Sequence, residues 1–144
     1  PDIHHPKKPE LPDLSGFKIL LVEDNPINSR IAELYFSELG LAVSTAANGR
    51  EAIEKLTSGQ QRFDMVFMDI QMPEMDGYTA TRFIRTELGM TEIPVIAMTA
   101  HVLAGERENV LSSGMNDYLS KPINHKELIG ILLRYLTGGS ARKF

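Results

Sequence analysis

The 144 residues, 42% hydrophobic and 24% charged, suit one compact globular domain, leave no room for two ordinary ones and argue against wholesale disorder. A formal net charge of -4, with Lys and Arg scattered or gathered at the two ends, argues against a nucleic-acid binder, which needs clustered basic residues for phosphate contacts. The absence of cysteine excludes disulfides and thiolate metal sites and suits a reducing, cytoplasmic setting, and no apolar run approaches the roughly 20 residues that cross a bilayer, so no membrane contact is expected of this domain.

Along the chain, residues 1–15 carry Pro1, Pro6, Pro9 and Pro12 with little apolar surface and read as a flexible linker or arm. The chain opens on Pro1 rather than Met, as an excised piece of a longer protein would. His4 and His5 read as a solvated pair, since no further His lies at ligand spacing nearby. FKILLVE (17–23) is a nearly continuous apolar run, the pattern of a strand buried on both faces. NPINSRIAELYFSELG (25–40) places Ile27, Ile31, Leu34, Tyr35 and Leu39 near helical spacing, with Gly40 to cap the end. LAVSTA (41–46) reads as a strand, and NGREAIEKLTSG (48–59) as a helix with Ala52, Ile53 and Leu56 inward. FDMVFMD (63–69) is strand-like, DGYTATRFIRTELG (76–89) helical, and IPVIAMT (93–99) a strand again. VLAGERENVLSSG (102–114) predicts a weaker helix, DYLS (117–120) a short strand, and HKELIGILLRYLT (125–137) a closing helix. Residues 138–144 read as a disordered tail, which leaves 16–137 as the folded domain. Five β-α units in series predict an α/β fold: a doubly wound, five-stranded parallel sheet with five helices.

In such a sheet chemistry gathers at the carboxyl ends of the strands. Glu23 and Asp24 close the first strand, Asp69 the third and Thr99 the fourth, and Lys121 follows the fifth. Three carboxylates in one small area raise one another's pKa unless a cation joins them. Mg²⁺ fits that need, being hard, oxygen-loving and content to keep waters, whereas zinc lacks Cys or nearby His ligands. Acidic residues ahead of Asn25-Pro26 also suit the positive end of a helix, and Asp69 ahead of Pro73 and Asp76-Gly77 also suits a turn. Taken together they fit better as a metal-assisted phosphoryl site, in which Asp69 attacks phosphorus and forms an acyl phosphate. Lys121 supplies a point charge and Thr99 a hydroxyl donor to the phosphoryl oxygens. A cis bond at Lys121-Pro122 would aim the lysine inward.

These residues resemble the receiver domain family of response regulators over about 17–137. The matching pieces are LLVEDN (20–25), MDIQMPEMDGY (68–78), VIAMTA (95–100) and DYLSKPI (117–123), in the family's order and at its kind of spacing. The resemblance implies a flavodoxin-like sheet of order 2-1-3-4-5. It implies Asp69 as phosphoacceptor, Asp24 as a direct Mg²⁺ ligand, Glu23 acting through water and Gln71 giving a backbone carbonyl. Thr99 and Lys121 become the phosphoryl-binding pair, and Tyr118 the aromatic switch that follows Thr99. Gln71 and His101 take the positions that tune autodephosphorylation. The wording of the motifs is most similar to the C-terminal receiver of a hybrid sensor histidine kinase, whose parent chain the inner membrane would hold. Such a receiver takes its phosphoryl group from a kinase histidine and passes it to a histidine phosphotransfer domain, or loses it by autodephosphorylation.

Three other readings compete. A phosphatase of the haloacid dehalogenase class needs an acid two residues after the nucleophile, where this chain has Gln71. A flavin-phosphate site needs small or hydroxyl residues after the first strand, where this chain has the acidic EDNPIN. A phosphorylation-independent interaction module would be favoured by loss of Asp69 or Lys121, and both are present.

Overall fold

The computed structural model describes residues 11–100 and 104–137. The elements, in chain order, are β1 (Lys18–Val22), α1 (Pro26–Glu38), β2 (Ala42–Ala46), α2 (Gly49–Thr57), β3 (Met65–Asp69), α3 (Gly77–Thr86), β4 (Val95–Thr99), α4 (Glu106–Ser112), β5 (Asp117–Ser120) and α5 (His125–Leu136). All neighbouring strands are parallel and run β2-β1-β3-β4-β5 across the sheet, the flavodoxin-like order. The arm before residue 11, the His4–His5 pair, His101 and the tail from 138 lie outside the described residues.

The strands are apolar without a break because the sheet is covered on both faces, and their two-residue period sorts the side chains. Leu20, Val22, Val66, Met68, Val95 and Ala97 pack beneath α2, α3 and α4. Ile19, Leu21, Met65, Phe67, Ile96 and Met98 face α1 and α5. Phe36 of α1 meets Phe67 of β3 with ring centroids 5.0 Å apart. Among the described residues no helix is long and apolar enough to cross a membrane.

Three details depart from the sequence reading. The helix α1 buries Ala32 and Phe36, with Leu39 just beyond its end, whereas Ile27, Ile31 and Leu34 are 71%, 44% and 51% exposed. Two apolar arcs lie on opposing sides of this helix, and periodicity alone cannot say which meets the sheet. The fourth helix starts at Glu106, because Gly105 adopts a left-handed conformation at its N-cap. Packing also begins ahead of residue 16: Leu14 is 2% exposed and its N–H donates to the Leu39 carbonyl at 2.8 Å. A lone leucine in a polar, Pro-rich stretch has no period to reveal it.

At the pole opposite the strand carboxyl ends, Arg85 of α3 is held as a clamp. Its guanidinium donates to the carbonyls of Gly114, Met90 and Ile93 and to the Asn116 side chain, at 2.7–2.9 Å. Burial lowers its pKa, offset in part by Glu92.

Candidate functional site

The carboxyl ends of β1, β3, β4 and β5 converge beside the switch point between β1 and β3, where the chain, having laid β2 on one side of β1, continues on the other. Hydrogen bonding continues one residue past the strands and sets the register of the site. Glu23 N–H donates to the Ala46 carbonyl, Ile70 N–H to the Met98 carbonyl, and Lys121 N–H to the Thr99 carbonyl, at 2.8–3.0 Å. Glu23, Asp69 and Thr99 are therefore rooted in buried backbone, at 5%, 3% and 2% exposure, while Asp24 stands exposed at the rim.

Lys121 binds the two buried carboxylates together. Its Nζ lies 2.8 Å from Glu23 Oε1 and 3.1 Å from Asp69 Oδ1. The second Glu23 oxygen accepts the Asn25 N–H at 3.1 Å, and Asp69 Oδ1 also accepts the Gln71 N–H at 3.2 Å. The Lys121-Pro122 peptide bond is cis. Burial pushes the Asp69 carboxyl up to about 7, with the neighbouring Glu23 charge adding to the rise and Lys121 opposing it. Burial pulls the Lys121 ammonium down, but its hydrogen bond to Glu23 and the charges of Asp69 and Glu23 together hold it above its ordinary value.

One oxygen each of Glu23, Asp24 and Asp69 lies within 4.8 Å of the others. An all-carboxylate donor set of this size, open on its Asp24 side, fits a hard divalent cation of the Mg²⁺ kind. Gln71 is exposed just past Asp69. Tyr118 pairs in register with Ala97, two residues before Thr99, and packs half-buried on the α2–α4 face of the sheet. It is not in the acidic cluster.

By sequence Gly77 reads as a turn or helix-start residue, and the structure gives it a further role. Its N–H donates to the Ile70 carbonyl, and a Cβ built on it would collide with the Asp69 carbonyl and lie 3.0 Å from Ile70 Cα. Only glycine lets α3 start this close to the backbone that carries Asp69. Gly77→Ala is expected to destabilise the fold by about 1–3 kcal/mol, as overpacking against backbone does. It is also expected to displace Asp69; chemical denaturation and a phosphoryl-labelling rate on the folded variant check both effects.

Comparison with known proteins agrees with this geometry. The family profile for the response regulator receiver domain matches residues 19–133. The signal transduction histidine-protein kinase BarA of Escherichia coli is 38% identical over 139 residues, covering 94% of this chain. The sensor protein GacS of Pseudomonas syringae is 38% identical over 121 residues, covering 82% of this chain. The chain spans only 15% and 13% of those relatives' own lengths. Among solved structures, the receiver domain of sensor histidine kinase PA1611 from Pseudomonas aeruginosa is 45% identical, with a TM-score of 0.76 over 85% of this chain and 99% of that one; it holds a magnesium ion in its active-site cleft. The receiver domain of the Saccharomyces cerevisiae response regulator Ssk1, co-crystallised with the histidine phosphotransfer protein Ypd1, appears in a structure that is 28% identical, with a TM-score of 0.76 over 88% of this chain and 91% of that one. With the fold, the acidic cluster and these likenesses in agreement, the chain belongs to the response regulator receiver domain family and is a phosphoryl-accepting domain of the two-component type.

Proposed function

We propose that Asp69 accepts the phosphoryl group from a kinase phosphohistidine. The observation that carries this is the Lys121 ammonium bridging Glu23 and Asp69 at the mouth of an acidic cluster on the strand ends. An Asp69 oxygen attacks phosphorus, the bond from phosphorus to the donor nitrogen breaks, and the electron pair leaves with the donor imidazole. Lys121 faces the charge on the phosphoryl oxygens, and the Thr99 hydroxyl donates to one of them. Asp24 and Asp69 would hold Mg²⁺ directly, with the Gln71 carbonyl, and Glu23 through water. Bound there, the ion neutralises the carboxylates and the incoming phosphoryl oxygens. Tyr118 follows Thr99 inward on phosphorylation, and Gln71 and His101 set the autodephosphorylation rate. Acetyl phosphate with Mg²⁺ should add one phosphoryl mass, abolished by chelation. No addition to a folded chain would favour a phosphorylation-independent interaction module.

We further propose that residues 16–137 are the receiver portion of a hybrid histidine kinase and that its downstream partner is a histidine phosphotransfer domain. The exposed stripe Ile27, Ile31 and Leu34 supports a helical partner. Ile31 also lines a groove with Glu23, Asn28, Lys121, Pro122 and Ile123, so the stripe runs up to the acidic cluster. An apolar helix face laid along α1 would bring its histidine to Asp69. Ile31→Glu is expected to slow transfer to or from a protein partner at least about tenfold, the size of a lost interface anchor. Labelling by acetyl phosphate should be unchanged, because a small donor needs no docking surface. Equal loss with both donors would place the effect in the site instead.

A further inference from the structure

The first turn of α4 is held differently from those of its neighbours. α1, α2, α3 and α5 each start on an Asn or Asp whose side chain accepts backbone N–H groups: Asn25, Asn48, Asp76 and Asn124. α4 starts on Gly105, with no side-chain cap, and Val110 is the buried residue among its seven. A helix this short, uncapped and shallowly buried has little of its own to fix its first turn.

What reaches that turn is Tyr78. It sits in the first turn of α3, its ring half-buried against the core beneath α2–α4, and its hydroxyl donates to the Glu106 carboxylate at the start of α4. The bond joins the helix that follows the Asp69 loop to the helix that follows Thr99. Tyr78 also adjoins Gly77, which is pressed against the Asp69 carbonyl. Any shift of backbone at Asp69 would therefore press on the residue before the tyrosine.

We propose that Tyr78 and Glu106 are a positioning pair for the phosphoryl-accepting reaction. Their hydrogen bond holds α4 in the arrangement of the unphosphorylated domain, and its strength sets how readily Asp69 takes up a phosphoryl group. This rests on the phosphoryl-accepting reading of Asp69. Loosening the tie raises the population of the arrangement that closes on a phosphoryl group, so the acceptor reacts faster.

Tyr78→Phe keeps the ring and its packing and removes only the hydroxyl. In the unphosphorylated chain, amide hydrogen exchange within Glu106–Ser112 should quicken about fivefold, the scale of one hydrogen bond to a charged group at a partly exposed site. Exchange in α1, α3 and α5 should be unchanged. The rate of labelling by acetyl phosphate at saturating Mg²⁺ should rise about as much, and Glu106→Ala should match it. The two combined should exceed neither alone, and Glu106→Gln, whose carbonyl still accepts, should fall between. Unchanged α4 exchange overturns the tie. Quicker exchange with an unchanged labelling rate overturns the positioning role. A wild-type chain that takes no label sinks the phosphoryl reading and the coupling to Asp69 with it, while the exchange measurement still decides the tie.

Discussion

Lys121→Met is expected to slow labelling of Asp69 by about 100-fold or more, the usual cost of removing one charge-stabilising donor from a phosphoryl or acyl site. The same substitution leaves Glu23 and Asp69, both buried, facing each other without the ammonium that lies 2.8 and 3.1 Å from them. Breaking a buried pair from one side costs about 3–5 kcal/mol when the orphaned charge cannot escape. Here one carboxylate can take up a proton, so a loss of about 2 kcal/mol at pH 8 in the absence of metal is expected. That loss should shrink toward pH 5, as protonation relieves the repulsion, and shrink again when Mg²⁺ is added. The labelling defect should persist at saturating Mg²⁺. This split separates chemistry from folding: a labelling rate restored by Mg²⁺ would reduce Lys121 to a structural counter-ion.

Asp69→Asn carries the second large effect, and its sign is opposite. The folded Asp69 carboxyl titrates at about 7, against an ordinary value of 3.8, first because it is buried and second because Glu23 is close. Between those two values the folded chain holds a proton that the unfolded chain has released. Stability therefore falls as pH rises from about 4, and the full penalty is present above 7. The neighbouring Lys121 ammonium opposes part of that penalty. Asp69→Asn removes the charge in a side chain of nearly equal shape. It should raise stability at pH 8 by about 1–2 kcal/mol, a gain that vanishes near pH 4, while abolishing phosphoryl uptake. Mg²⁺ should stabilise wild type more than this variant. Parallel stability curves from pH 4 to 8 would contradict the raised titration.

Why the strand ends could be read from sequence, and α1 could not, is a matter of periodicity. A strand covered on both faces is apolar nearly throughout, so KILLV, MVFMD and VIAMT announced themselves, and the polar residues that close or follow each had to lie at the carboxyl end of the sheet. That brought Glu23, Asp24, Asp69, Thr99 and Lys121 into view. Helix α1 carries an apolar arc on each side, and the arc that stays in water, Ile27, Ile31 and Leu34, is the one a pattern search picks first. Contacts that depend on distance left no period at all. The Tyr78–Glu106 bond and the Arg85 clamp join segments far apart in the chain, and the steric demand at Gly77 depends on how the loop after Asp69 folds back on it. The one local hint was the Asp76-Gly77 pair, which reads equally well as a helix start.

The most direct test is to locate the phosphoryl group chemically. After incubation with acetyl phosphate and Mg²⁺, borohydride reduces an acyl phosphate to an alcohol, turning the labelled aspartate into homoserine, and peptide mass spectrometry then identifies the position. Conversion at Asp69, lost on chelation, is the expected result. Conversion at Glu23 or Asp24, or at neither these nor Asp69 in a folded and Mg²⁺-loaded chain, would contradict the assignment of Asp69 as the acceptor.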